Sequence, residues 1–194
     1  MKKTKMIESP SFVLKTKVMY GFLAELLKSL KEKKAILDIG TGTGIFVREY
    51  GKKWNVTGVD ISKYYLKLAN DLKVVVGDVH ELPFNDETFD VIISKSSLCY
   101  WKNPVRGINE ILRVLKPNGK FLIMDLIKPG KIVSKLILII DFLISGREGR
   151  EDILDFMNRN LSIEDVESII ERVKHNIKIR RCYFGIYYIL VGTK

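Results

Sequence analysis

Ala35-Ile36-Leu37-Asp38-Ile39-Gly40-Thr41-Gly42-Thr43-Gly44 joins a short apolar run to a turn with glycine at every second position. Five mostly apolar residues closed by glycines read as a strand buried on both faces. Residues 45–53 then read as a helix. A strand, a glycine turn and a helix, in that order, make the first unit of an alternating α/β fold.

The alternation continues along the chain. Residues 56–60 form a second apolar run, and Ser62 is placed to cap a helix over 63–72. Strands are expected at 73–76, 89–93 and 121–127. Pro104 opens a helix to about Leu115, and Pro117-Asn118-Gly119 stops it. Upstream, Val18, Phe22, Leu26, Leu27 and Leu30 recur at helical spacing. Downstream, 131–160 is expected to be mostly helical. Ser162 and Asp165 make a near capping box for a helix to about Val173, and strands at 177–183 and 187–191 turn at Gly185. Only a short turn joins those last two strands, so they must pair antiparallel. The expected architecture is Rossmann-like α/β: a seven-stranded, mostly parallel sheet with helices on both faces and an antiparallel last strand. One domain over 1–194 is expected, with a basic N-terminal cap over 1–34 and a helical cover over 128–160.

Composition bounds the rest. Of 194 residues, 46% are hydrophobic and 29% charged, which excludes a disordered chain. Cys99 and Cys182 are too few for a disulfide scaffold or a cysteine-rich metal site. The longest apolar run, 132–144, contains Lys135 and Asp141 and is too short to span a membrane, so a cytoplasmic protein is expected. The net charge is +10, and residues 1–34 hold nine Lys against three Glu. Such a segment either is a solvated helix face or attracts a polyanion such as RNA. The chain is rich in Lys and Ile and has no Gln, a composition that hints at a thermophilic source.

The glycine turn carries the chemistry. Glycines there let backbone approach a ligand with no Cβ in the way, and such turns lie at the carboxyl ends of the strands, where ligands bind. Asp60 closes the second strand twenty residues after Gly40, where a carboxylate can accept both hydroxyls of an adenosine ribose. A dinucleotide site wants Gly-x-Gly-x-x-Gly, but its third glycine position is Ile45 here. Asp38 would repel a pyrophosphate and suits a cation. S-Adenosyl-L-methionine, with a sulfonium, an ammonium and no phosphate, fits better than a nicotinamide dinucleotide.

Further stretches then align with one family: Gly58-Val59-Asp60-Ile61-Ser62, Gly77-Asp78-Val79-His80-Glu81-Leu82-Pro83-Phe84, Phe89-Asp90-Val91-Ile92, and Leu112-Arg113-Val114-Leu115-Lys116-Pro117-Asn118-Gly119. With Ile36 to Gly44, they resemble the class I S-adenosylmethionine-dependent methyltransferases, in the broad group that includes the ubiquinone/menaquinone-biosynthesis enzymes. The resemblance covers about residues 35 to 127. It implies that Gly40 and the backbone around Gly42 pack against the cofactor's methionine part, with Thr41 and Gly44 in the same turn. It implies Asp38 near the ammonium, Asp60 on the ribose hydroxyls and Ile61 on the adenine. Asp78 would accept from the adenine amino group and the Val79 amide would donate to a ring nitrogen. The Ser94 carbonyl would meet the ammonium, and Tyr20 the carboxylate. Where the family usually has Gly-Gly, Asn118-Gly119 stands, and Asn tolerates left-handed backbone.

The acceptor is written less clearly. It should lie past the fourth and fifth strands, at 94–103 and after Ile127. An Asn/Asp-Pro-Pro-aromatic motif and a Pro-Cys motif are both absent there. Tyr100 and Trp101 either stack on a flat acceptor or pack a lid. The expected activity is methyl transfer to a small acceptor, apolar or aromatic, releasing S-adenosyl-L-homocysteine, with no catalytic residue or metal site assigned. The alternatives are a tRNA or rRNA methyltransferase and a non-catalytic S-adenosylmethionine-binding regulator. A monomer or homodimer is expected. His80 is weighed as an acid–base and also as a satisfied core residue, and His175 as a charge at a helix C-terminus.

Overall fold

The computed structural model describes residues 20, 21, 23, 27, 34–128, 130, 158–182 and 186–194. Most of the expected N-terminal cap and most of the helical cover lie outside these residues, as does the turn at Gly185. The described elements are β1 (Ala35–Ile39), α1 (Ile45–Tyr50), β2 (Asn55–Asp60), α2 (Lys63–Lys67), β3 (Val74–Val76), β4 (Phe89–Lys95), a 3-10 turn (Leu98–Tyr100), α3 (Pro104–Val114), β5 (Leu115–Leu126), α4 (Ile163–Val173), β6 (Ile177–Cys182) and β7 (Tyr187–Thr193). Among the described residues, no helix is long and apolar enough to cross a membrane.

The strands form one sheet in the order β3-β2-β1-β4-β5-β7-β6. All pairs are parallel except those of β7, which runs antiparallel to both β5 and β6. The strand order reverses between β1 and β4, and open α/β sheets bind ligands at such a switch point.

Side-chain alternation divides the core in two. Leu37, Ile92, Phe121, Ile123, Tyr188 and Leu190 face one way, with α3 and α4 packed on them through Ile108, Ile111, Val166 and Ile169. Ile36, Val91, Ile93, Leu122, Met124 and Ile189 face the other, covered by Tyr20, Leu23, Leu27 and by Phe46 and Val47 of α1. Tyr20, Gly21 and Leu23 are helical, as the 18–30 spacing suggested.

Several boundaries differ from expectation. The helix expected over 45–53 ends at Tyr50, because Gly51 leads straight into a turn. That expected over 63–72 ends at Lys67, with turn following to Leu72; Ser62 caps it, accepting from the Tyr65 amide at 3.4 Å. The fifth strand begins at Leu115 rather than Phe121. Leu115 pairs with Phe89, and the register shifts before Lys120 meets Val91. Asn118 takes up the slack with φ 62°, left-handed backbone that Asn accepts at modest cost. His175 follows the Lys174 cap of the helix ending at Val173, and its Nε2 lies 2.6 Å from the Thr193 carbonyl oxygen.

Candidate cofactor site at the carboxyl ends of the strands

The glycine turn is built from backbone. Gly40 and Thr41 both donate to the Val59 carbonyl, at 2.8 and 3.1 Å, so the turn folds over the end of β2. Gly40 and Gly42 lie at φ 71° and 57°, left-handed conformations that L side chains rarely adopt. A Cβ on Gly40 would approach the Ser97 Cβ to 2.7 Å, whereas one on Gly42 would meet nothing within 4 Å. Gly42 therefore borders open space.

Asp38 lies beneath that turn and is fully buried. Thr41 Oγ1 donates to its Oδ2 at 2.6 Å, and Oδ1 has no hydrogen bond. Burial, reinforced by the charge of Asp60, pushes its pKa up to about 7, against the pull of Thr41, Lys95 and the Tyr20 hydroxyl. Tyr20 is buried beside it. Burial, and then the Asp38 and Asp60 charges, hold that phenol well above its ordinary pKa.

Asp60 accepts from the Gly42 amide through Oδ2 and from the Ser62 amide through Oδ1, each at 2.8 Å. It therefore joins the glycine turn to the start of α2, and a carboxylate with about four acceptor positions keeps capacity for a ligand. Ile61, the next residue, is 68% exposed.

Asp78 is set by His80. Its Oδ1 accepts from the His80 amide at 2.9 Å and lies 2.5 Å from His80 Nδ1, and the amide bond first of all lowers its pKa. His80 Nε2 accepts from the Asn103 amide at 3.0 Å. Both ring nitrogens of His80 are thus engaged in holding two loops together. Val79 packs on the core beside α3. The loop after Asp78 is latched to α3 by Arg113, which donates to the Leu82 and Phe84 carbonyls, while Glu110 accepts from the Leu82 amide.

Ser94 is buried, and its Oγ donates to the Ile39 carbonyl at 3.0 Å, fastening β4 to β1. Tyr100 and Trp101 separate. Trp101 is buried against the position of Gly107 on α3, with Nε1 donating to Ser97 Oγ at 2.9 Å. Tyr100 is 50% exposed, with the Arg159 guanidinium 5.7 Å from its ring centroid.

Two charged residues, one half-buried and one buried, were missed by the sequence reading. Lys95 ends β4, and burial lowers its pKa. Asp125 lies in β5 with no exposed surface; burial raises its pKa to about 6, and its Oδ1 accepts from the Leu126 amide. The signal was a charge at the end of one apolar strand and within another.

An open, mostly parallel sheet with a glycine turn at its switch point, and carboxylates at the ends of successive strands, is a Rossmann-like architecture. Residues 37–123 match the family model of a methyltransferase domain. The chain is 38% identical over 125 residues to a sterol 4-C-methyltransferase of Caenorhabditis elegans, covering 58% of this chain and 36% of that protein. It is 34% identical over 125 residues to a demethylmenaquinone methyltransferase of Thermotoga maritima, covering 58% and 54%. These alignments thus span a third to about half of the relatives' length. A solved S-adenosylmethionine-dependent methyltransferase from Aquifex aeolicus shares the fold with a TM-score of 0.69 at 20% identity, covering 98% of this chain and 96% of that one.

The residues fit that cofactor. The orphaned Asp38 oxygen offers a buried acceptor to a cation, Gly42 borders open space, and Asp60 keeps unused acceptor positions.

Proposed function

We propose that the protein transfers a methyl group from S-adenosyl-L-methionine to a small acceptor of apolar or aromatic character. The observation that carries this reading is the buried, half-satisfied Asp38 carboxylate under the glycine turn, with Asp60 ending the next strand. Relatives that act on a sterol and on a demethylmenaquinone support a small apolar acceptor. A cytoplasmic location and a monomeric or homodimeric state belong to the same proposal, on composition alone.

When bound, the cofactor supplies a methyl group on a sulfonium. The chain's part is to hold donor and acceptor in line, which by itself can supply much of the rate. Asp38 and the Ser94 carbonyl bind the ammonium, and the turn backbone at Gly40, Thr41, Gly42 and Gly44 bounds the methionine part. Asp60 holds the ribose hydroxyls. Ile61, otherwise left in solvent, covers the adenine, whose edge is read by Asp78 and the Val79 amide. Tyr100 lies on the acceptor side, with Trp101 as its fixed wall.

Calorimetric titration tests the reading. S-Adenosylmethionine and S-adenosylhomocysteine should bind at micromolar concentration and a nicotinamide dinucleotide should not. Failure of the first two to bind overturns the proposal.

A further inference from the structure

The parallel register places Lys95 beside the glycine turn. Asp38 pairs with Ile93 and Ile39 with Ser94, so Lys95 stands one step beyond β1, level with the turn. Alternation sends its side chain to the face that carries Ile93 and Val91, the face to which Ile36 and therefore Asp38 also belong. Its Nζ lies 5.6 Å from the Tyr20 ring centroid and 3.3 Å from Ser96 Oγ. The charges that face it are Asp38 on the same sheet face and Asp125 from β5.

Among the described residues, this ammonium donates to the Ser96 hydroxyl and to no carboxylate. A buried ammonium carries a large desolvation cost unless it is paired and hydrogen-bonded. On the same sheet face, Asp38 Oδ1 has no hydrogen-bond partner. A buried anion and a half-buried cation, on one sheet face and beside a glycine turn, complement a zwitterion. The α-amino acid end of S-adenosylmethionine is one.

We propose that Lys95 binds the α-carboxylate of the cofactor, with its ammonium opposite the Asp38 carboxylate that receives the cofactor's amino group. This rests on the cofactor reading above and adds to it the group that discriminates full-length cofactor from fragments. Tyr20, whose ring Lys95 overlies, then serves as the wall of the carboxylate pocket.

The test is a cycle between one side chain and one ligand group. Wild-type protein and the Lys95→Met and Lys95→Arg variants are titrated with S-adenosylhomocysteine and with 5′-methylthioadenosine, which lacks the amino acid end. Lys95→Met should weaken S-adenosylhomocysteine about 10- to 100-fold, as the loss of a charge-assisted hydrogen bond implies, and leave 5′-methylthioadenosine within about twofold. Lys95→Arg should recover most of the difference. Retained binding of the fragment shows that the variant is folded. Equal losses for both ligands, or none for either, overturn the role of Lys95. If wild-type protein binds neither ligand, the cofactor reading itself fails.

Discussion

At the scale of single residues, Asp60 does two jobs with one carboxylate. It accepts from the Gly42 and Ser62 amides, so the group proposed to hold the ribose also fixes the shape of the glycine turn. Asp60→Ala removes both. Cofactor affinity should fall by about 1–3 kcal/mol through the lost charge-assisted contact. The melting temperature should fall as well, because two amides lose their acceptor. Calorimetry and a thermal scan on one sample separate the two effects, and unchanged affinity in a folded variant removes Asp60 from the site. His80 shows the same economy. Its ring spans Asp78 and Asn103, which accounts for a histidine beside the proposed adenine site without assigning it proton transfer.

Among the elements, the helices on the α3 and α4 face position the site at a distance. Arg113 of α3 reaches two carbonyls and two carboxylates, Glu110 and Asp86, and so fastens the loop that carries Asp78. The cap of α4 has no such link. Ser162 accepts from the Asp165 amide at 3.2 Å, and the Asp165 carboxylate accepts from the Ser162 amide at 3.0 Å, a complete capping box. Ser162→Ala should cost about 1 kcal/mol of stability, the usual worth of an N-cap. Denaturant unfolding should show that loss while affinity for S-adenosylhomocysteine stays unchanged, since α4 packs below the sheet on the face away from Asp38.

For the molecule as a whole, the site is a source of strain. Asp38 and Asp125 titrate at about 7 and about 6 when folded, each raised by burial from an ordinary 3.8. The native state therefore holds more protons than the unfolded chain between about pH 4 and 7, and stability falls as pH rises through that window. Asp78 and Glu110 act in the opposite sense. The His80 amide lowers the first and Arg113 the second, so their contribution is lost as pH falls below the ordinary carboxylate range. The melting temperature should peak at about pH 4–5 and decline toward neutrality. Asp38→Asn should flatten the decline and raise the melting temperature at pH 7.5, while weakening the cofactor. A wild-type profile that rises steadily to pH 8 contradicts this account.

Local patterns determined much of this protein. The apolar runs and glycine spacing marked the strands, Ser62 and Ser162 marked helix starts, and Asp60 was placed at the end of the second strand. Each depends on residues near one another in the chain, where propensity and periodicity act directly. The length of β5 was not legible, because Leu115 becomes strand only by pairing with Phe89 across the sheet. Nor was the fate of Trp101, whose burial depends on a glycine six residues on, in α3. Lys95 and Asp125 are the sharpest cases. In the sequence they are charges in apolar strands; only the parallel register brings Lys95 level with the glycine turn, on the sheet face of Asp38. Strand register is set by long-range pairing and shared burial, and it decides which charges meet at the site.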